Sequence, residues 1–403
     1  MTDITIRGVQ TPDELRFAND LMAKIHDRDY FEASHWLETF GAGYPGYRTG
    51  HTRIALVQGE VAGALRLTTD TIRIGEARLK MGGFGWVTTA PNHRHCGIAR
   101  EMLRDTMAYM RDNQYHVSML FGIPNFYHRF GFTTTLIEHT ASVDVLEAST
   151  VPHTAYRVRE GKPSDIAAIQ KMHNLHESDV ACSLVRSAAH VTNRWERWKP
   201  VRVVTDENGK LTGYFLPRRT PDALDVVEVG VTDWKACAAL LHACAAFALE
   251  ESTSRIRFQA PPGHPLVRFL LQFKSRHETR ITRDEGGMMA FVNLPETLES
   301  LIPEWESLLL TSAAREIRAE VTIVVDKVAH RIRAHRGALN IATASGANKV
   351  SLSGSDLMHL ITGYRHFKDI FDSQRRIITP EGRALLETLF PKRTPYVWPI
   401  DHF

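Results

Sequence analysis

The stretch Trp86-Val-Thr-Thr-Ala-Pro-Asn-His-Arg-His-Cys-Gly-Ile-Ala-Arg100 changes character midway. Val87 to Thr89 reads as the end of a strand and Pro91-Asn92 as a turn. His93 to Ala99 reads as a short loop opening a helix, and no further Gly or Pro occurs until Gly122. Along that helix Ile98, Met102, Leu103, Thr106, Tyr109 and Met110 fall at helical spacing, with Arg100, Glu101, Arg104 and Asp105 on the other face. A helix start leaves backbone N–H groups unpaired and carries about half a positive charge. Gly97 removes the side chain where a ligand must approach that backbone, Ala99 keeps the next turn open, and His93 and Arg94 add donors. These are the requirements of a pyrophosphate seat.

Arg94-x-x-Gly97-x-Ala99 resembles the Gln/Arg-x-x-Gly-x-Gly/Ala signature of the GNAT acetyltransferases. The later run Phe121-Gly-Ile-Pro-Asn-Phe-Tyr-His-Arg-Phe-Gly-Phe132 is similar to the same family at the right distance. The resemblance implies an acetyl-CoA-dependent N-acetyltransferase of the α/β (α+β) class. Two parallel strands would splay apart, and the backbone of Val87, Thr88 and Thr89 would pair with the pantetheine arm. Arg94, His95, Cys96, Gly97, Ile98, Ala99 and Arg100 would hold the phosphates, and Gly122 and Ile123 would flank the thioester. Tyr127 matches the tyrosine that gives a proton to the departing thiolate. Its other reading is a core aromatic whose hydroxyl is satisfied elsewhere. Direct transfer of this kind needs no acyl-enzyme, so Cys96 is not read as a nucleophile.

The same order of features recurs. After the linker-like Pro152 to Thr154, Tyr156 to Ile169 echoes the opening strand Ile4 to Val9, the helix start Thr11-Pro-Asp-Glu14 and the helix Leu15 to Ile25. Gly209-Lys-Leu-Thr-Gly213 echoes Gly59-Glu-Val-Ala-Gly63, and Val226 to Val231 with the helix Ala236 to Leu249 echoes the strand and helix around Gly97. The second copy has Thr232-Asp-Trp-Lys235 where the first has its glycine loop, and Asp233 would repel a pyrophosphate. It reads as a structural, degenerate unit. From Met288 a third region begins, with strands around Glu316 to Val325, Ala329 to His335 and Ala338 to Ala344. A helix there is capped by Ser353 or Ser355. The expected domains are therefore 1–150, 151–287 and 288–403. In the first, Gly41 to Gly50 reads as a loop, and Thr71 to Met81 as an edge strand before Gly82-Gly-Phe-Gly85.

The third region resembles the sterol-carrier-like domain of the Eis (enhanced intracellular survival) subgroup of GNAT proteins. That resemblance implies a C-terminal tail docked in the acetyltransferase cleft, with the terminal carboxylate, here on Phe403, as general base. The residues admit another reading, in which Phe403 only packs and a water chain, Asp401 or His402 handles the proton. The subgroup further implies a homo-oligomer, as in its hexamers, and an amine acceptor on a small molecule or a lysine-type group. Candidate acceptor walls are Asp27, Asp29, Phe31, Glu32 and Trp36 from the first helices, with Phe84 beside the thioester. The bland reading of that run is a solvated helix and loop.

Bulk composition sets limits. A chain of 403 residues with net charge +3 and 24% charged residues carries no nucleic-acid stripe or polybasic membrane anchor. Its four cysteines form no CxxC pair, and Cys237 and Cys244 share a helix face, which suits burial better than a disulfide. No metal is expected. Thr2 to Asp20 lacks the apolar centre of a secretory leader, and Ala236 to Leu249 is too short to span a bilayer. The expectation is a cytoplasmic protein. A rival from another class is a CoA-sensing or lipid-binding protein without transferase activity.

Overall fold

The structure is a computed structural model that describes residues 4–26, 30–176, 180–371 and 378–403. It divides into two units: one runs to Leu136, resumes over Thr282–Arg393 and includes Phe403, and the other holds Ile137–Ile281 and Thr394–His402.

The first unit opens with β1 (Ile4–Gly8), α1 (Pro12–His26) and α2 (Tyr30–Gly43). A reciprocal cap starts α1: the Thr11 hydroxyl accepts the Glu14 N–H at 3.2 Å, and the Glu14 carboxylate accepts the Gln10 N–H at 2.7 Å. There follow β2 (Thr52–Val57), β3 (Glu60–Ile74), β4 (Ala77–Thr89), α3 (Ile98–Asp112), β5 (Val117–Gly122) and the short β6 (Thr133–Thr134). Leu65, Leu67, Phe84, Met102, Leu103 and Met110 form the core under α3. Ala18, Met22, Ala23, Leu37, Ile54 and Ala64 form the one under α1 and α2.

The chain then builds the second unit from β7 (Glu138–Asp144), β8 (Arg157–Glu160), α4 (Ile166–His176), β9 (Arg202–Thr205), β10 (Leu211–Arg219) and β11 (Leu224–Val231). It finishes with α5 (Trp234–Glu250), β12 (Arg255–Phe258), α6 (Pro265–Leu270) and β13 (Ser275–Arg280). Cys237 and Cys244 are buried on α5 without a disulfide. Burial pushes the Cys237 thiol up to about 12 and that of Cys244 in the same direction.

Back in the first unit come β14 (Gly286–Phe291), α7 (Leu294–Ser300), α8 (Ile302–Thr311) and a smaller sheet. That sheet holds β15 (Arg318–Val325), β16 (Val328–His335), β17 (Ala338–Ala342) and β18 (Lys349–Leu352), in the order β17-β16-β15-β18. Next comes α9 (Gly354–Thr362), capped by Ser353, whose hydroxyl accepts the Asp356 N–H at 3.0 Å. The last helix is α10 (Pro380–Leu389).

The two larger sheets share one plan. The first runs β1-β2-β3-β4-β5-β14-β6 and the second β8-β9-β10-β11-β12-β7-β13. In each, neighbours are antiparallel except for one central parallel pair, β4 with β5 and β11 with β12. The strand beyond the parallel pair is exchanged, because β7 serves the second sheet and β14 the first. This corrects the boundaries read at 150 and 287. Residues 137–150 belong with the second unit, and Met288–Phe291, read as the opening of a third region, is a strand of the first sheet. Pairing across the sheet, and not nearness in sequence, decides where a buried strand belongs. Two local readings change as well. Helix α2 extends to Gly43, into the expected loop. The expected edge strand Thr71 to Met81 is split by a turn at Gly75, whose φ is +55°.

Candidate active site

Strand β4 pairs with β5 only over Met81–Phe84 against Val117–Leu120, so the two diverge from Gly85 and Phe121 onward. The β3–β4 register also slips between Ala64 and Arg66, and Trp86 takes a φ of +58°. A tryptophan in that region is strained and persists only when its surroundings fix it. Here Trp36 packs against it at 4.9 Å and His26 edge-on at 5.6 Å. The His26 Nε2–H donates to the Val87 carbonyl at 3.0 Å, and the Thr88 hydroxyl donates to the Trp86 carbonyl at 2.9 Å. The bulge is confined to the backbone around Trp86: Thr88 and Thr89 pair again with Ala64 and Gly63 of β3, and their other edge faces the gap left where β4 and β5 diverge.

After Thr89 a single 3₁₀ turn over Pro91–His93 leads to Arg94, His95 and Cys96, all exposed, and then to Gly97. Gly97 sits in the left-handed region at φ +81° and precedes α3 with no side chain capping the helix start. A Cβ there would come within 2.9 Å of the Arg100 guanidinium. Ile98 is buried and anchors the first turn, Ala99 is half-buried and Arg100 exposed. The open N–H groups, with Arg94 beside them, suit a phosphate group.

On the far side of the gap, Tyr127 opens a 3₁₀ turn, Tyr127–Phe130. Its ring lies on Gly122, where a Cβ would meet Tyr127 Cδ2 at 2.6 Å, and packs edge-on against Phe126 at 4.9 Å. Ile123 is exposed beside it. Burial pushes the Tyr127 phenol up to about 12, so it is protonated at neutral pH. Among the described residues its hydroxyl has no hydrogen-bond partner.

The opposite face of β4, away from α3, carries Gly83 and Gly85, and Phe403 lies over both. The Phe403 ring meets Phe121 edge-on at 5.6 Å. Along β3 the same face presents Arg66, Thr68 and Asp70. Buried Arg66 donates to the Leu37 carbonyl at 2.8 Å and to Asn19 at 2.7 Å, and Tyr44 donates to Asp70. Sequence reading passed over these residues and His26. The alternation of polar Arg66, Thr68 and Asp70 with apolar Leu65 and Leu67 was the available signal.

Of the expected acceptor residues, Trp36 is at the gap through its contact with Trp86, while Phe31 is 82% exposed on α2. Phe84 does not face Phe403. It is buried in the core under α3, edge-on to Phe132 at 5.9 Å, because side chains alternate along β4 and its neighbouring glycines take the other face. Asp27 and Asp29, and the side chain of Glu32, lie outside the described residues. Among the described residues no three or more His, Cys, Asp and Glu stand together as metal ligands, and no helix is long and apolar enough to cross a membrane.

With this geometry in view, residues 30–135 match the family model described as "Acetyltransferase (GNAT) domain". The matched segment contains the loop around Gly97, the diverging strands and Tyr127. Among solved structures the fold is similar over the whole chain to a GCN5-related N-acetyltransferase from Anabaena variabilis. That match has TM-score 0.76 and 14% identity, with 100% of each chain covered. A GCN5-related N-acetyltransferase from Kribbella flavida has TM-score 0.74 and 16% identity, covering 100% of this chain and 99% of its own. Eis1 from Mycobacterium abscessus has TM-score 0.66 and 17% identity, with both chains covered fully. At such identities the likeness is one of fold. No curated protein matches the chain.

Proposed function

We propose that the chain is an N-acetyltransferase, similar to the Eis subgroup, that moves the acetyl group of acetyl-CoA onto an amine of a small molecule or a lysine-type group. The observation that carries this reading is the gap between β4 and β5, flanked by the uncapped start of α3 and the partnerless hydroxyl of Tyr127. Acetyl-CoA supplies the activated acyl group. The N–H groups from Gly97 to Arg100, with Arg94, hold its phosphates, and the backbone of Val87–Thr89 pairs with the pantetheine arm.

The chemistry then moves three protons: two leave the nitrogen and one reaches the sulfur. An alkylammonium with a pKa of about 10 must lose a proton before its nitrogen can attack. The α-carboxylate of Phe403, over Gly85, is the acceptor on this reading, and a desolvated carboxylate is a stronger base than one in water. As the C–N bond forms and the C–S bond breaks, the thiolate takes the Tyr127 proton, and the second proton that the nitrogen sheds in becoming an amide returns the phenolate to its neutral form. Expelling that thiolate unprotonated from an apolar cleft is costly. Holding amine and thioester together can remove roughly 7–11 kcal/mol of barrier.

The test is thiol release from acetyl-CoA with polyamines, aminoglycosides and lysine peptides. Turnover should depend on the amine, and Tyr127→Phe should lower kcat by about 10²–10⁴. Removal of Phe403 should lower it on the same scale and abolish the acidic limb of the pH profile. Tight acetyl-CoA binding with no turnover on any amine would hand the site to the CoA-sensing reading.

A further inference from the structure

The glycines of β4 have a use that backbone conformation does not explain. Gly83 and Gly85 are absent from the positive-φ residues, so their backbone is open to any amino acid. Space is what they supply. A Cβ on Gly83 would lie 2.4 and 2.5 Å from Phe403 Cε2 and Cζ, and 2.3 Å from Thr68 Oγ1. A Cβ on Gly85 would lie 3.2 Å from the Phe403 carboxyl carbon and 3.5 Å from its oxygen. Gly82, just before them, opens instead toward Met110 and Leu67 on the other face, and Phe84 fills the core. The last residue therefore lies along the strand, ring on Gly83 and carboxyl group on Gly85, with Phe121 closing the edge. Thr68 is 4% exposed, and its hydroxyl has no partner among the described residues. A buried hydroxyl left unpaired is costly, so the ring in that seat takes precedence over satisfying it.

We propose that Gly83 and Gly85 are positioning residues for the C-terminus: they form a seat that takes a flat aromatic ring and so fixes where along β4 the terminal carboxylate stands. The role in catalysis rests on the reading of that carboxylate as proton acceptor. The seat itself does not. Gly83→Ala drives a methyl group into the ring, which must lift, whereas Gly85→Ala asks for a displacement of a few tenths of an ångström. Replacing the ring by a methyl group with Phe403→Ala retains the carboxylate and removes the clash with the ring, leaving only the Thr68 hydroxyl, which can turn away about its Cα–Cβ bond.

The test has two readouts on the full chain. The first is release of the terminal residue by carboxypeptidase A, with phenylalanine measured directly. Wild-type protein should resist, and Gly83→Ala should release Phe403 about tenfold faster or more, as overpacking on this scale predicts. The second is steady-state kinetics. Gly83→Ala should lower kcat by about tenfold with the acetyl-CoA KM within about twofold, yet cost less than about twofold when added to Phe403→Ala. Unchanged release and kcat in Gly83→Ala would overturn the proposal, as would losses that multiply in full in the double variant. If Gly83→Ala fails to fold, Gly85→Ala is put through both measurements, with a smaller effect in the same direction expected. If no amine supports turnover in the wild type, the proposed function fails, while the carboxypeptidase readout still decides the seat.

Discussion

The strand-to-helix crossing occurs twice in this chain, and the two crossings are built to opposite ends. The register sets Gly63 opposite Thr89 in the first sheet and Gly213 opposite Val231 in the second, so the crossings correspond. In the first, residues 90–97 intervene before α3, the helix start is uncapped, and Trp86, Val87 and Thr89 are half-exposed. In the second, only Thr232 and Asp233 intervene. The Asp233 carboxylate accepts the Ala236 N–H at 2.9 Å, so this helix start is satisfied by its own chain. All of β11 is buried. Tyr214 lies on Gly230, where a Cβ would meet its ring at 2.4 Å, and donates to Glu228 at 2.8 Å. Arg186 then bridges Glu228, at 2.8 and 2.6 Å, and Asp401, the closest contact being 2.6 Å, with all three buried. One copy keeps its backbone donors open toward a gap, and the other fills the same place with side chains. A shared topology fixes neither outcome.

The sharpest way to break this comparison is Arg186→Met. It strands two buried carboxylates and should destabilise the chain by about 3–5 kcal/mol in urea titrations. A loss under about 1 kcal/mol would mean that the ionic cluster is not what fills the second copy.

Acid should act next. Burial lowers His190 and His402 to about 4 and His264 to about 3, all in the second unit. Arg186 holds Asp401 well below the ordinary carboxylate range. Because these folded-state histidine values lie below about 6.5, the unfolded chain binds the extra protons as pH drops. Stability is therefore full above about pH 6.5 and declines toward pH 4, by on the order of 3 kcal/mol for a histidine shifted that far. In the first unit, among the described residues, only His51 is lowered to a comparable value, about 4. Hydrogen exchange at pH 5 should show protection lost first in Ile137–Ile281. Earlier loss in the first sheet would reverse the assignment.

Smaller effects separate the two helix starts. Gly97→Ala forces a side chain into the left-handed region, at roughly 1–2 kcal/mol, and sets a Cβ against Arg100. It should raise the acetyl-CoA KM more than it lowers kcat, and an unchanged KM would take the phosphates away from this loop. Asp233→Ala removes a cap worth about 1 kcal/mol and should leave kcat and KM at wild-type values. A kinetic change from it would give the second copy a part in the reaction.

Much of the site was open to reading in the sequence because its requirements are local. Gly97 is needed for one φ value, the Thr11–Glu14 cap spans a single turn, and Tyr127 follows Gly122 at a short fixed distance. Phe84 was misplaced for a related reason. Period-two alternation told that it and the glycines on either side face oppositely, but not which face belongs to the core. The polar face Arg66, Thr68 and Asp70 was visible in the same alternation and was overlooked.

By itself the sequence determined the two strand-to-helix crossings and which of them has an open helix start, since each depends on residues close together along the chain. Only the tertiary structure decided that β7 and β14 trade sheets, that Arg186 joins Glu228 to Asp401, and that Phe403 lies over Gly83 and Gly85. Those contacts join residues far apart in sequence, and they are selected by backbone pairing and by the space a missing Cβ leaves, neither of which marks the residues taken one at a time.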